Sequence, residues 1–132
     1  MQIPLFKPQT EWLPPENFPD LSKYDEIAID LETKDPDLMK MGSGSVVSKG
    51  DVVGIAVAVQ GWSGYYPIAH EGGGNMSRAK VLKWFQGVLN TPADKIFHNA
   101  MYDVCWIKAL SLSISGRIID TMIASALVDE NQ

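Results

Sequence analysis

Two carboxylates, Asp30 and Glu32, stand two residues apart in the stretch AIDLET, which is otherwise apolar and strand-like. Side chains alternate along a strand, so positions i and i+2 share one face. Carboxylates held side by side repel unless one takes a proton or a cation bridges them. A hard divalent metal such as Mg2+ accepts carboxylate oxygens and removes that repulsion. The pair therefore reads either as a metal site or as the solvated polar face of an edge strand. A second cluster lies in FHNAMYDVCWIKAL, where Asp103 follows Asn99 by four residues near the start of an expected helix. Free backbone amides at a helix start favour an anion. Asn99 as a helix cap, with Asp103 as a first-turn acid, would explain the same residues without a ligand. The junction also lies at the carboxyl end of its strand, where open α/β sheets bind ligands.

Periodicity predicts the elements that position these residues. Residues 1–23 form a proline-rich N-terminal arm, with Pro4, Pro8, Pro14, Pro15 and Pro19. Its Leu5, Phe6, Trp12, Leu13 and Phe18 predict that it docks rather than floats. Residues 24–132 form one domain. EIAIDLET (26–33) alternates as a strand should. Residues 34–50 read as a long loop. DVVGIAVAVQG (51–61) and SGYYPIAH (63–70) read as two strands of a hairpin. Ser77 caps a helix to Leu89 with apolar Val81, Leu82, Trp84, Phe85, Val88 and Leu89. KIFHN is a short strand. Ala100–Leu110 is a helix with Met101, Val104, Cys105, Ile107 and Ala109 as its apolar positions. GRIID is a last strand, and Asp120 caps a helix through TMIASALV. The predicted fold is α/β: a mixed five-stranded sheet, three antiparallel strands then β/α alternation, with flanking helices.

The chain has 132 residues, enough for one domain with a core. Eleven Lys and Arg against 16 Asp and Glu give a formal net charge of -5. That excludes a generic basic nucleic-acid footprint. It does not exclude nucleic acid, because a metal ion brings its own positive charge and needs acidic ligands. The single Cys105 can form no internal disulfide, which suits a reducing compartment. No apolar run is long enough to span a bilayer, and the N-terminus lacks a signal-peptide core. No membrane partner is expected, and the expected location is cytoplasmic, the host cytoplasm if the source is viral. HEGGGN and GSGS lack P-loop spacing and read as loops. His70 and His98 have no partner at zinc-ligand spacing. Cys105 reads as a small core residue, and Trp62, Tyr65 and Tyr66 as packing rather than base-stacking groups. Lys34, Lys40, Lys49 and Lys108 fit phosphate contacts and a solvated surface equally.

Taken together, DLET (30–33) and HNAMYD (98–103) resemble the first two motifs of the DEDD 3'-5' exonuclease superfamily. The tail IIDTMIASALVDEN, Val52–Val59 and Pro67–Asn75 are similar to segments in the proofreading domains of bacteriophage family A DNA polymerases. The resemblance spans about residues 24–131. It implies a ribonuclease H-like fold and a two-metal site for Mg2+ or Mn2+. Asp30 would bridge both metals, Glu32 would help hold the water-activating one, and Asp103 would hold the second. Thr33 and Asn99 would contact the terminal nucleotide, and Tyr102 would pack. The implied substrate is a single-stranded DNA 3' end. The implied partner is a polymerase domain or a separately encoded polymerase subunit.

One part of the family pattern is missing. The family has a fourth carboxylate in a later Tyr-x-x-x-Asp or His-x-x-x-Asp motif, whose Tyr or His orients the attacking water. The acids after Asp103 are Asp120, Asp129 and Glu130, and none has that spacing. The chain is therefore expected to be C-terminally truncated before the third motif. Lost general-base assistance typically costs about 10²–10⁴-fold, so the isolated chain is expected to be weakly active. Two alternatives stay open: a non-catalytic module that binds DNA ends or docks onto a polymerase, and an RNA-trimming exonuclease of the ribonuclease D type.

Overall fold

A computed structural model of the protein describes residues 17–34 and 50–122. Its elements are strands β1 (Glu26–Lys34), β2 (Asp51–Val59) and β3 (Trp62–Pro67), helix α1 (Arg78–Leu89), strand β4 (Asp94–Phe97), helix α2 (Ala100–Ala109) and strand β5 (Ile118–Asp120). The five strands form one sheet in the order β3-β2-β1-β4-β5. β1 pairs antiparallel with β2, and β2 with β3; β1–β4 and β4–β5 are parallel. This is the mixed architecture that the pattern predicts. The expected loop over 35–49, most of the arm and the helix beyond Met122 lie outside the described residues.

Alternation divides β1 into two faces. Ile27, Ile29 and Leu31 are buried, while Ala28, Asp30 and Glu32 take the other side. Against β2 the register slips: Glu32 pairs with Gly54 and Thr33 with Val52. Val53 is thus one extra residue, a β-bulge. The bulge lets Val52 and Ile55, three apart, join Val57 in the same core. The Val53 carbonyl accepts hydrogen bonds from the Ile68 and Ala69 amides, at 2.9 and 3.1 Å.

Helix α1 starts where the Ser77 side chain accepts from the Lys80 amide, and it buries Val81, Phe85, Val88 and Leu89. These fall at i, i+4, i+7 and i+8, one helical stripe. The described end of the arm covers this helix. Phe18 stacks on Tyr66 with ring centres 5.5 Å apart, and Trp84 Nε1 donates to the Pro19 carbonyl at 2.8 Å. Leu5, Phe6, Trp12 and Leu13 lie outside the described residues.

Two corrections concern β4 and α2. β4 ends at Phe97, so His98 and Asn99, expected within the strand, form the turn into α2. The buried face of α2 is Ala100, Asp103, Trp106 and Ile107, while Met101 is 77% exposed. A carboxylate occupies a core position where apolar periodicity placed Met101.

At the far end of β4, Lys95 is fully buried. Its ammonium donates to the carbonyls of Thr91, Ala93 and Ser115, which replace the lost water. Gly116, at φ 84°, passes so close that an added Cβ would lie 2.2 Å from the Ala93 carbonyl oxygen. This clasp brings β5 alongside β4 and so delivers Asp120 to the start of α2. Phe85 is fully buried in the core, so Phe85→Ala should cost about 3–5 kcal/mol. Urea unfolding should show a lower midpoint with an unchanged slope.

Candidate functional site

The site forms where β1, β4 and α2 meet. Asp30 lies on the small-residue face of the sheet, opposite Ala56, which in turn pairs with Tyr65. It lines a trough of about 240 Å³ with Ala28, Ala56, Ile96, His98 and Thr121. Burial raises the Asp30 carboxyl above the usual carboxylate range, and the charge of Glu32 adds to the shift.

Asp103 comes from the first turn of α2 and is only 3% exposed. Burial, and next the nearby Asp30 charge, push its carboxyl up from 3.8 to about 7, against a hydrogen bond from the Leu31 backbone. Asp103 Oδ2 is buried without any hydrogen-bond donor. A buried acceptor left in that state costs about 1–3 kcal/mol, more if charged. Carboxylate oxygens of this kind fit a hard divalent cation, which would supply the missing positive charge as their partner.

Glu32 is held from β3 and the loop that follows it. Tyr65 Oη donates to Glu32 Oε2 at 2.6 Å, and His70 Nε2 lies 3.9 Å from the same oxygen. Burial first, then Glu32, raises the Tyr65 phenol well above its ordinary range, so it stays a donor. Among the described residues no three Asp, Glu, His or Cys side chains are grouped closely enough to hold one ion. Asp103 feels the charge of Asp30, and Asp30 that of Glu32.

The two expected substrate-binding residues occupy the rim. Thr33 Oγ1 is 2.8 Å from Tyr102 Oη, which ties the end of β1 to α2. Tyr102 also packs edge-on against Trp106. Asn99 holds a left-handed backbone, φ 70°, and its side chain makes no capping hydrogen bond. The capping role falls to Asp120. Its Oδ1 accepts from the Asn99 and Met122 amides at 3.1 and 2.9 Å, and its Oδ2 from Ala100 at 2.9 Å. One carboxylate thus serves the start of α2 and the turn that leaves β5. The sequence indicated Asp120 only as the cap of a helix through TMIASALV, which lies mostly outside the described residues.

Three contributors to the site went unrecognised in the sequence: Tyr65, Gly54 and the α2-capping role of Asp120. The signal for Gly54 was its place directly opposite Glu32, which becomes visible only once the bulge sets the register.

Comparison with known proteins identifies the lineage. Residues 7–132 match the family described as 3'-5' exonuclease, of the DNA polymerase A type. The chain belongs to that exonuclease family. It is 36% identical over 110 residues to a DNA-directed DNA polymerase of Pseudomonas phage M6, spanning 79% of this chain and 17% of the relative. The solved structure of Brucella melitensis NrnC matches with a TM-score of 0.55 at 20% identity, over 86% of this chain and 48% of NrnC. NrnC with bound Mg2+ matches with a TM-score of 0.53 at 18% identity, over 89% and 51%. The fold is thus the ribonuclease H-like one of the DEDD exonucleases, and the chain spans about half of NrnC.

Within this exonuclease fold Asp120 holds the strand-to-helix turn that presents Asp103. Asp120→Ala should destabilise the protein by about 1–2 kcal/mol. Hydrogen exchange should quicken at the Asn99 and Ala100 amides first. Asp103 gives a second expectation. The folded metal-free chain keeps the Asp103 proton up to about pH 7, the unfolded chain only to about pH 4. Between these values the folded state holds more protons, so stability falls as pH rises. The melting temperature of metal-free protein should drop from about pH 5 to about pH 8, and Asp103→Asn should flatten that drop.

Proposed function

We propose that this chain is the proofreading 3'-5' exonuclease portion of a phage-type DNA polymerase, hydrolysing phosphodiesters at single-stranded DNA 3' ends. The observation that carries this reading is Asp103, buried beside Asp30 with one carboxylate oxygen lacking a donor. Asp30, Glu32 and Asp103 would hold Mg2+ or Mn2+. When bound, two such ions would supply an activated water and neutralise the leaving 3' oxygen. The chain's own residues prepare that chemistry. Asp120 and the α2 backbone fix Asp103, β1 fixes Asp30, and Thr33 and Asn99 border the place of the terminal nucleotide.

The fourth carboxylate and the polymerase domain would come from a longer polypeptide or a separate subunit. Residues 24–132 would be the exonuclease unit and 1–23 its N-terminal arm; the family match takes in most of that arm. Among the described residues no helix is long and apolar enough to cross a membrane. A cytoplasmic role, in the host cytoplasm if the source is viral, fits the free Cys105. A second reading, trimming of RNA 3' ends, draws on the fold likeness to NrnC, one structure of which is bound to pGG.

The test uses 3'-labelled single-stranded DNA with Mg2+ or Mn2+. Slow 3' shortening is expected, reduced at least about a hundredfold in Asp30→Ala, since metal-assisted charge stabilisation is worth several kcal/mol. No shortening above Asp30→Ala at high protein concentration would leave a non-catalytic end-binding or docking module. Faster cutting of a matched RNA would favour the second reading.

A further inference from the structure

The glycine-rich loop His70–Asn75 lacks phosphate-loop spacing, yet it is tightly closed. The His70 amide donates to Asn75 Oδ1 at 2.7 Å, and Asn75 Nδ2 returns a bond to the His70 carbonyl at 2.9 Å. Gly73 and Gly74 supply the positive φ values, 87° and 71°, that so short a loop needs. Glu71 pairs with Lys34 at the end of β1. The loop is thereby moored to the strand that carries the carboxylates.

Its His70 side chain reaches the same strand through Tyr65. His70 Nε2 is 2.5 Å from Tyr65 Oη, and Tyr65 Oη is 2.6 Å from Glu32 Oε2. A phenol has one proton. With that proton given to Glu32, the Tyr65 oxygen can only accept from His70. His70 must then carry its proton on Nε2, so the bonds run one way toward the carboxylate. Gly54 makes room for the crossing: a Cβ there would lie 1.9 Å from Tyr65 Oη. The Tyr65 and His70 contacts both engage Glu32 through Oε2.

We propose that His70 and Tyr65 form a positioning relay for Glu32, fixing Oε2 and leaving Oε1 as the donor for a divalent metal. The proposal rests on the metal-site reading above. Tyr65 is a positioning residue, and Gly54 the gap through which it acts. Fixing a ligand from outside the metal's own ligand set commonly matters about 10–100-fold in affinity.

Calorimetry with Mn2+ on the full chain tests it. Tyr65→Phe keeps the packed ring and should weaken Mn2+ binding by about 10–100-fold. Gly54→Ala should weaken it in the same direction. In a Glu32→Gln background, Tyr65→Phe should cause no further loss, which a merely structural role would not produce. An unchanged affinity in Tyr65→Phe, or an equal loss in both backgrounds, overturns the relay. Binding that is abolished by Asp103→Ala but indifferent to Tyr65 overturns the relay alone. A wild-type chain that binds no Mn2+ at millimolar concentration overturns the metal-site reading and the relay with it.

Discussion

The burial of Asp103 beside Asp30 is the constraint around which this site is arranged. A carboxyl group buried beside a second carboxylate holds its proton more tightly. Asp103 feels burial first and Asp30 next, and one of its oxygens meets no donor among the described residues. A fold selected for stability alone would place an apolar side chain there, since α2 already buries Ala100, Trp106 and Ile107 on the same face. The scaffold must therefore hold Asp103 in place against an unfavourable local balance. It does so through the backbone. Asp120 accepts from the first amides of α2, Leu31 donates to Asp103, and the Thr33–Tyr102 bond joins helix to strand. The cost at one residue is offset by several hydrogen bonds that fix its surroundings.

The same logic explains the distribution of order along the sheet. The clasp around Lys95 and Gly116 lies at the opposite end of β4 from the carboxylates. It sets the β4–β5 register, and that register carries Asp120 to its place beside Phe97. A buried lysine is itself costly, and burial lowers its proton affinity. Three carbonyls meeting its ammonium keep it satisfied. One end of the sheet thus has its buried charge matched by protein groups, while the other leaves a carboxylate oxygen unmatched. That asymmetry separates a structural charge from one suited to a ligand.

Much of this was legible in the sequence, for definable reasons. The first two strands follow from periodicity in EIAIDLET and DVVGIAVAV, where alternation and β-branching agree. Asp30 and Glu32 had to share a face because they are two apart. The α1 stripe was readable because every buried position is apolar. Helix α2 misled for the opposite reason. Its buried face includes Asp103, so a count of apolar residues assigned Met101 to the core and found it in solvent. Asn99 occupied the cap position without capping, because the acceptor arrives from Asp120, 21 residues later. Contacts of that kind depend on strand register across the sheet, which a linear pattern does not contain.

The Val53 bulge shows how chemistry and folding share one strand. In β1 the odd residues fill the core and the even ones carry charge, so a slip by one residue would bury Asp30 and Glu32 and expose Ile29 and Leu31. Register here is pinned from both faces. Without the bulge, strict alternation along β2 would set Val52 and Ile55 on opposite sides, and one would leave the core. With it, both are buried, and the residue opposite Glu32 becomes glycine. Only a residue without a side chain lets the Tyr65 phenol lie across β2. A single extra residue in β2 therefore completes the core on one face and opens access to Glu32 on the other. Bulges concentrate beside active sites because they re-aim side chains without disturbing the ladder beyond them. Here the re-aimed group is the neighbour of the carboxylate strand, which places the control of Glu32 in β2 and β3 rather than in the motif that contains it.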